Sequence, residues 1–155
     1  MKIIKTKFSG LFVVKQVNHK DKRGSLRETY NKKKFPFKNF IFEYFTTSKK
    51  YALRGFHFQT KFEQAKYVNV QKGKILDCVI DLRRKSKTFG KVFKIILSDK
   101  NCLGLFIPRG FAHAYYSFER INIIYYKLSN YYKPQFEDGI NVLDKKIGIR
   151  WPSKK

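Results

Sequence analysis

Arg54-Gly55-Phe56-His57-Phe58-Gln59, followed shortly by Gln64-Ala65-Lys66, is the stretch from which the rest of the chain is read. Alternation along a strand puts His57 and Gln59 on one face and Phe56 and Phe58 on the other. In the apolar run that follows, Lys66, Val68 and Val70 share a face, so an amine can point into the same cavity as the imidazole. A histidine beside a lysine, both on rigid strands, suits proton abstraction next to a carbonyl. The imidazole takes the proton and the ammonium stabilises the enolate oxygen. The same two residues also describe a core histidine and a surface lysine on an ordinary barrel, so the pattern needs its surroundings.

Working outward, short apolar or alternating runs recur with turn residues between them. Towards the N-terminus, Lys5 to Val14 reads as a strand broken at Ser9-Gly10, and Asn18 to Gly24 as a polar turn holding His19. A short strand over Ser25 to Tyr30, a loop over Lys32 to Lys38 with Pro36, and an aromatic strand over Phe40 to Thr47 complete that half. Beyond His57, strands are predicted over Lys66 to Val70, Ile75 to Leu82, Lys91 to Leu97, Gly104 to Ile107, Ala112 to Phe118 and Ile121 to Leu128. Residues 131–152 read as irregular, with room for a short helical turn. Nothing between residues 5 and 130 keeps a period of 3.6, and strands this short and this evenly spaced mean an all-β barrel or sandwich. One jelly-roll domain over residues 1–155 is the economical architecture.

Composition narrows the class. A 17% aromatic share favours strands, and no apolar run is long enough for a membrane-spanning helix. The start, Met1 to Lys5, lacks the features of a signal peptide. Cys78 and Cys102 have no metal-type spacing and fit a reducing cytoplasm. The formal charge of +24 raises the question of nucleic acid. However, 27 Lys stand against only 8 Arg. Arginine, with its planar fork, is the better mark of specific phosphate or base recognition. The lysines are also scattered, with Lys32-Lys33-Lys34 the only run of three. A solvated cationic surface that attracts anionic ligands is the expectation, not a nucleic-acid site.

Several motifs, in order, resemble the dTDP-4-dehydrorhamnose 3,5-epimerase family. They are Asp21-Lys22-Arg23-Gly24 with Glu28; Leu53 to Gln59 with Gln64-Ala65-Lys66; Asp81-Leu82-Arg83, Ser86 and Thr88-Phe89-Gly90; Ile107 to His113; and Tyr126-Lys127, Tyr131-Tyr132, Glu137 and Ile147 to Pro152. The resemblance implies an all-β, cupin-type jelly-roll barrel. It also implies an epimerase of a nucleotide-diphosphate-linked 4-keto-6-deoxy sugar, serving deoxysugar biosynthesis for surface polysaccharide, without a cofactor. By position, His57 is the base, Tyr126 the acid on the opposite face of the sugar, and Lys66 and Asp77 lie in the same cavity. Arg54, Gln59, His113, Arg23 and Glu28 contact the substrate, Glu137 lies nearby, and Tyr132 stacks on the base. A homodimer exchanging N-terminal strands brings Arg23 and Glu28 to the neighbour's site.

Strand alternation agrees with part of this, since Ile124, Tyr126 and Leu128 share a face, as do Asp77, Val79 and Asp81. A metal is not expected: in the His-x-His pair that a metal-binding cupin needs, the second position is Gln59, and the chain has three histidines. Two departures stand out. The chain runs only three residues past Trp151-Pro152, where the resemblance implies a further segment whose carboxylate orients the catalytic histidine. Asp77, Asp144 and Glu43 are the candidates to replace it. The Gln-x-Asn signature expected before Arg54 gives way to Phe42 to Thr46, with Glu43 and Tyr44, and Ala114-Tyr115-Tyr116 follow His113. A different substrate or a narrower reaction follows from those changes. Two other readings use the same scaffold: a 3,4-keto-sugar isomerase, and a non-catalytic sugar- or polyanion-binding barrel.

Overall fold

The computed structural model describes residues 1–152, so residues 153–155 of the expected single domain lie outside the described residues. Thirteen strands form two large antiparallel sheets and a separate hairpin. The first sheet contains β1 (Lys2–Lys5), β2 (Phe12–Lys15), β10 (Leu103–Ile107), β7 (Lys66–Lys72), β12 (Ile121–Leu128) and β5 (Phe42–Lys49), in that order. The second contains β13 (Glu137–Gly139), β6 (Leu53–Gln59), β11 (Phe111–Ser117), β8 (Lys74–Asp81) and β9 (Val92–Ser98). The hairpin pairs β3 (Val17–Asp21) with β4 (Gly24–Glu28). Among the described residues helical structure is confined to two 3-10 turns, Pro134–Phe136 and Lys145–Ile147. Among the described residues no helix is long and apolar enough to cross a membrane.

The core lies between the sheets. Val68, Val70, Leu105, Ile124 and Leu128 of the first sheet meet Ile75, Val79, Leu97, Phe111 and Tyr115 of the second. Each sheet is also covered on its outer face, which explains why several strands read as continuous apolar runs instead of alternating ones. On the first sheet, the loop between β4 and β5 lays Phe35, Phe37 and Phe40 over Tyr67 and Phe106; the Phe35 and Tyr67 rings meet edge to face at 4.7 Å. On the second, Ile140, Val142, Ile147, Ile149 and Trp151 cover Phe56, Cys78, Ile80 and Ala114. The tail that reads as irregular is therefore the second sheet's outer layer. The architecture is the expected jelly-roll sandwich.

Three local expectations differ from what is observed. The break near Ser9-Gly10 spans the whole interval between β1 and β2, because the Thr6 hydroxyl accepts from Phe8 N–H and donates to the Leu11 carbonyl, closing a tight turn. His19 lies in β3 rather than in a turn: the polar residues 17–21 are held extended by pairing with β4, not by burial. The three-residue strand β13 has no readable period and exists because it pairs with the edge of β6.

Asp81 anchors the connection from β8 to β9. It is fully buried and accepts hydrogen bonds from the Arg83 guanidinium at 2.8 Å, Ser86 Oγ at 2.6 Å and Thr88 Oγ1 at 2.7 Å. Burial alone would raise its pKa, yet those bonds hold the carboxyl well below the usual range. Asp81, Arg83, Ser86 and Thr88 thus form a structural clasp. Asp81→Ala is expected to lower unfolding stability by about 3–5 kcal/mol, because it leaves a partly buried guanidinium unpaired. Because the folded carboxyl ionises below the unfolded one, the stabilisation is complete above the ordinary Asp range, near pH ~4, and declines as pH falls below it. Urea melts of wild type and variant at pH 7 and pH 3 check both the size and the sign.

Candidate active site

A cavity of about 420 Å³ opens between the sheets, walled by β5, β7 and β12 on one side and by β6 and β11 on the other. Of the residues singled out in the sequence, His57, Tyr126, Lys66, Arg54, Gln59, His113, Tyr132 and Glu137 line it. Asp77, Arg23 and Glu28 do not.

His57 projects from β6 directly opposite His113 of β11, and on its other side β13 places Gly139 opposite it. Glu137, two residues before Gly139, shares that face and reaches back diagonally to the imidazole. Its Oε1 lies 3.1 Å from His57 Nδ1. At that distance the carboxylate faces the imidazole from its Nδ1 side, and Nε2 is left for other work. The Tyr132 hydroxyl donates to the other oxygen of Glu137, and that bond to the anion raises the phenol's pKa.

The carboxylate on His57 is therefore none of the three expected candidates. Asp77 is fully buried behind the cavity, with Oδ2 2.9 Å from His113 Nε2. Asp144 accepts from Lys146 N–H at the start of the second 3-10 turn. Glu43 pairs with Lys127 at 2.7 Å across the β5–β12 ladder, where the two are register partners. Sequence could not assign Glu137 to His57, because the contact depends on where β13 pairs.

Lys66 begins β7, half-buried against the cavity. Burial pulls its ammonium down to about 8, although Glu137 and Asp77 push the other way. Lys66 and Arg54 belong to none of the ion pairs among the described residues. Arg54 donates through Nε to Ser48 Oγ at 3.1 Å, and Ser48 Oγ shares a 2.8 Å bond with the Tyr115 hydroxyl. This fixes the guanidinium at its base and leaves its outer nitrogens for an anion. The cavity therefore offers two cations not yet matched by a carboxylate.

Tyr126 is buried on β12. Burial, then Tyr115, Asp77 and Tyr44, raise its phenol well above the ordinary value, against the opposing effect of the nearby Thr46 hydroxyl. It is a protonated O–H at neutral pH. Gln59 faces the cavity, but its amide is engaged: Nε2 donates to the Phe62 carbonyl at 2.9 Å and Oε1 accepts from Lys133 N–H at 2.6 Å. Its work is to tie together the two loops that rim the site. Among the described residues no group of three or more His, Cys, Asp or Glu could hold a metal ion.

Arg23 and Glu28 lie on the β3–β4 hairpin, away from this chain's own cavity. Arg23 is exposed and pairs with Asp21 at 2.8 Å, and Glu28 accepts from Asn31 at 3.1 Å. Thr46 and Ser48 were not singled out; alternation along β5 with Phe42 and Tyr44 is the signal that could have found them.

Residues 5–155 match the family model described as dTDP-4-dehydrorhamnose 3,5-epimerase. A dTDP-4-dehydrorhamnose 3,5-epimerase from Methanothermobacter thermautotrophicus is 36% identical over 155 residues, covering 97% of this chain and 84% of the relative. Two solved structures have closely similar folds. The dTDP-4-dehydrorhamnose 3,5-epimerase from Elizabethkingia anophelis is 33% identical, with a TM-score of 0.91 over 100% of this chain and 88% of that one. The dTDP-6-deoxy-D-glucose-3,5-epimerase from Legionella pneumophila, in complex with dTDP-4-keto-L-rhamnose, is also 33% identical, with a TM-score of 0.93 over 99% and 85%.

The depressed ammonium can be checked without any ligand. In a sample with lysine 13C-labelled at Cε, one resonance is expected to titrate near pH 8 and to be missing from Lys66→Met. The sign is loss of charge as pH rises, because burial disfavours the protonated form.

Proposed function

The chain belongs to the dTDP-4-dehydrorhamnose 3,5-epimerase family, and on that premise we propose that it epimerises a dTDP-linked 4-keto-6-deoxy sugar at carbon 3, carbon 5 or both, through an enolate. The observation that carries this reading is one cavity holding a histidine beside a carboxylate, an ammonium in no ion pair and a protonated phenol.

The keto group at carbon 4 acidifies the C–H bonds on either side. His57 Nε2 takes one of those protons; the C–H electron pair moves into the carbonyl, and the Lys66 ammonium stabilises the resulting oxyanion. Tyr126 then gives its O–H proton to the opposite face of the carbon, which inverts the centre and leaves a phenolate. Water restores the phenol and takes the proton from the imidazolium, so nothing is consumed. Glu137, 3.1 Å from the ring, supports the charged form of His57 that proton removal produces. A carboxylate beside the base weighs against the non-catalytic binding-barrel reading.

Arg54 meets the diphosphate, His113, held by Asp77, meets the sugar, and Tyr132 stacks on the base. The enzyme works in the cytoplasm, in deoxysugar biosynthesis for surface polysaccharide. It does so as a homodimer in which exchanged N-terminal strands bring Arg23 and Glu28 to the neighbour's cavity.

Incubation with dTDP-4-keto-6-deoxy-glucose in heavy water, followed by NMR, tests the chemistry. Deuterium is expected at carbon 3 or carbon 5, reduced by about 10²–10⁴-fold in His57→Ala. Uptake at neither carbon by folded wild-type protein would overturn the reading, and a carbonyl moved to carbon 3 would favour the isomerase. The exchanged strands have a separate test. Mixed dimers of inactive His57→Ala and Arg23→Ala chains should recover about one quarter of the wild-type rate, since one site in each mixed dimer is intact. No recovery would place Arg23 outside the neighbour's site.

A further inference from the structure

Inversion demands more of Tyr126 than a proton; it demands that the phenol face one side of the sugar and stay there. The register of β12 shows what holds its ring. Tyr126 lies directly opposite Tyr44 on β5 and Val68 on β7. The Tyr44 and Tyr126 rings stack with centroids 4.9 Å apart and 29° between planes. The edge of the His113 ring meets Tyr126 at 6.2 Å and 66°. Behind Tyr44 the aromatic series continues to Phe42 at 5.6 Å, and from Phe42 to Tyr131 at 5.8 Å. Tyr44 also lines the cavity. Its hydroxyl makes no hydrogen bond among the described residues, so what it brings to Tyr126 is its ring.

We propose that Tyr44 is the positioning residue of the acid: its stacked ring fixes the Tyr126 ring so that proton return from the phenol keeps pace with proton removal by His57. This rests on the epimerase reading. The two half-steps break and make different bonds. His57 breaks the C–H bond and, unaided, can return a solvent-derived proton to the same face, which gives exchange without inversion. Only the Tyr126 O–H delivers to the opposite face. A ring free to swing slows the second step and leaves the first alone, so inversion falls relative to exchange.

Tyr44 suits such a test because β5 is the last strand of its sheet and pairs only with β12, and the side chain is 37% exposed. A smaller residue there leaves no enclosed void. The substrate is dTDP-4-keto-6-deoxy-glucose in heavy water, and the readout is the ratio of inverted product to total deuterium uptake. That ratio is internal to the active molecules and independent of the fraction folded. In Tyr44→Asn and Tyr44→Leu the ratio is expected to fall at least about tenfold, in line with the cost of misplacing a catalytic group. Tyr44→Phe, which keeps the ring, should bring it back to within about twofold of wild type. Inversion and exchange falling together, or neither falling, would overturn the proposal. So would Tyr44→Phe behaving like Tyr44→Asn. Absence of both exchange and inversion in the wild type would instead mark failure of the epimerase reading itself.

Discussion

The close approach of β6 to β11 is the constraint on which the site depends. At Gly55 the backbone has φ +111°, and a Cβ there would stand 2.4 Å from the His113 carbonyl oxygen and 2.6 Å from the Ala114 Cα. Backbone cannot yield to such a contact, and L side chains rarely adopt that φ. Only glycine lets the two strands run so near. Their pairing sets His57 opposite His113, and the far edge of β6 is then open to β13, which delivers Glu137.

Electrostatics at the site follow a division of labour between the sheets. In the second sheet both histidines have a carboxylate, Glu137 for His57 and Asp77 for His113. Arg54 is held only through Ser48 and keeps its outer nitrogens free. In the first sheet, Lys66 is poorly solvated and unpaired, and Tyr126 is buried enough to keep its proton. A binding site for a dianionic ligand needs uncompensated cations, and acid–base chemistry needs groups held in defined protonation states. Both conditions arise here from burial and pairing at the site itself.

Much of the architecture is legible in the chain because strands announce themselves by short apolar runs and turn residues. Strands β6 to β12 lie within a residue or two of where those runs predict them. Placing His57, Lys66 and Tyr126 in one cavity needs only the period of two plus the resemblance. Gln59 and Asp77 show the limit of that reasoning. The first faces the cavity with its amide engaged by the loops. The second shares a strand face with core residues and supports His113 from behind.

Sequence alone determined that this is an all-β chain, which residues alternate on which strand, and which family its motifs follow. The first two are local, set by side-chain periodicity and by turn residues a few positions apart, and the third rests on the resemblance of the motifs themselves. Only the tertiary structure decided that Glu137 lies against His57, that Tyr44 stacks on Tyr126, and that an irregular tail covers the second sheet. Each of these depends on strand register between segments far apart in the chain, where a slip of one residue would turn the same side chain to the opposite face.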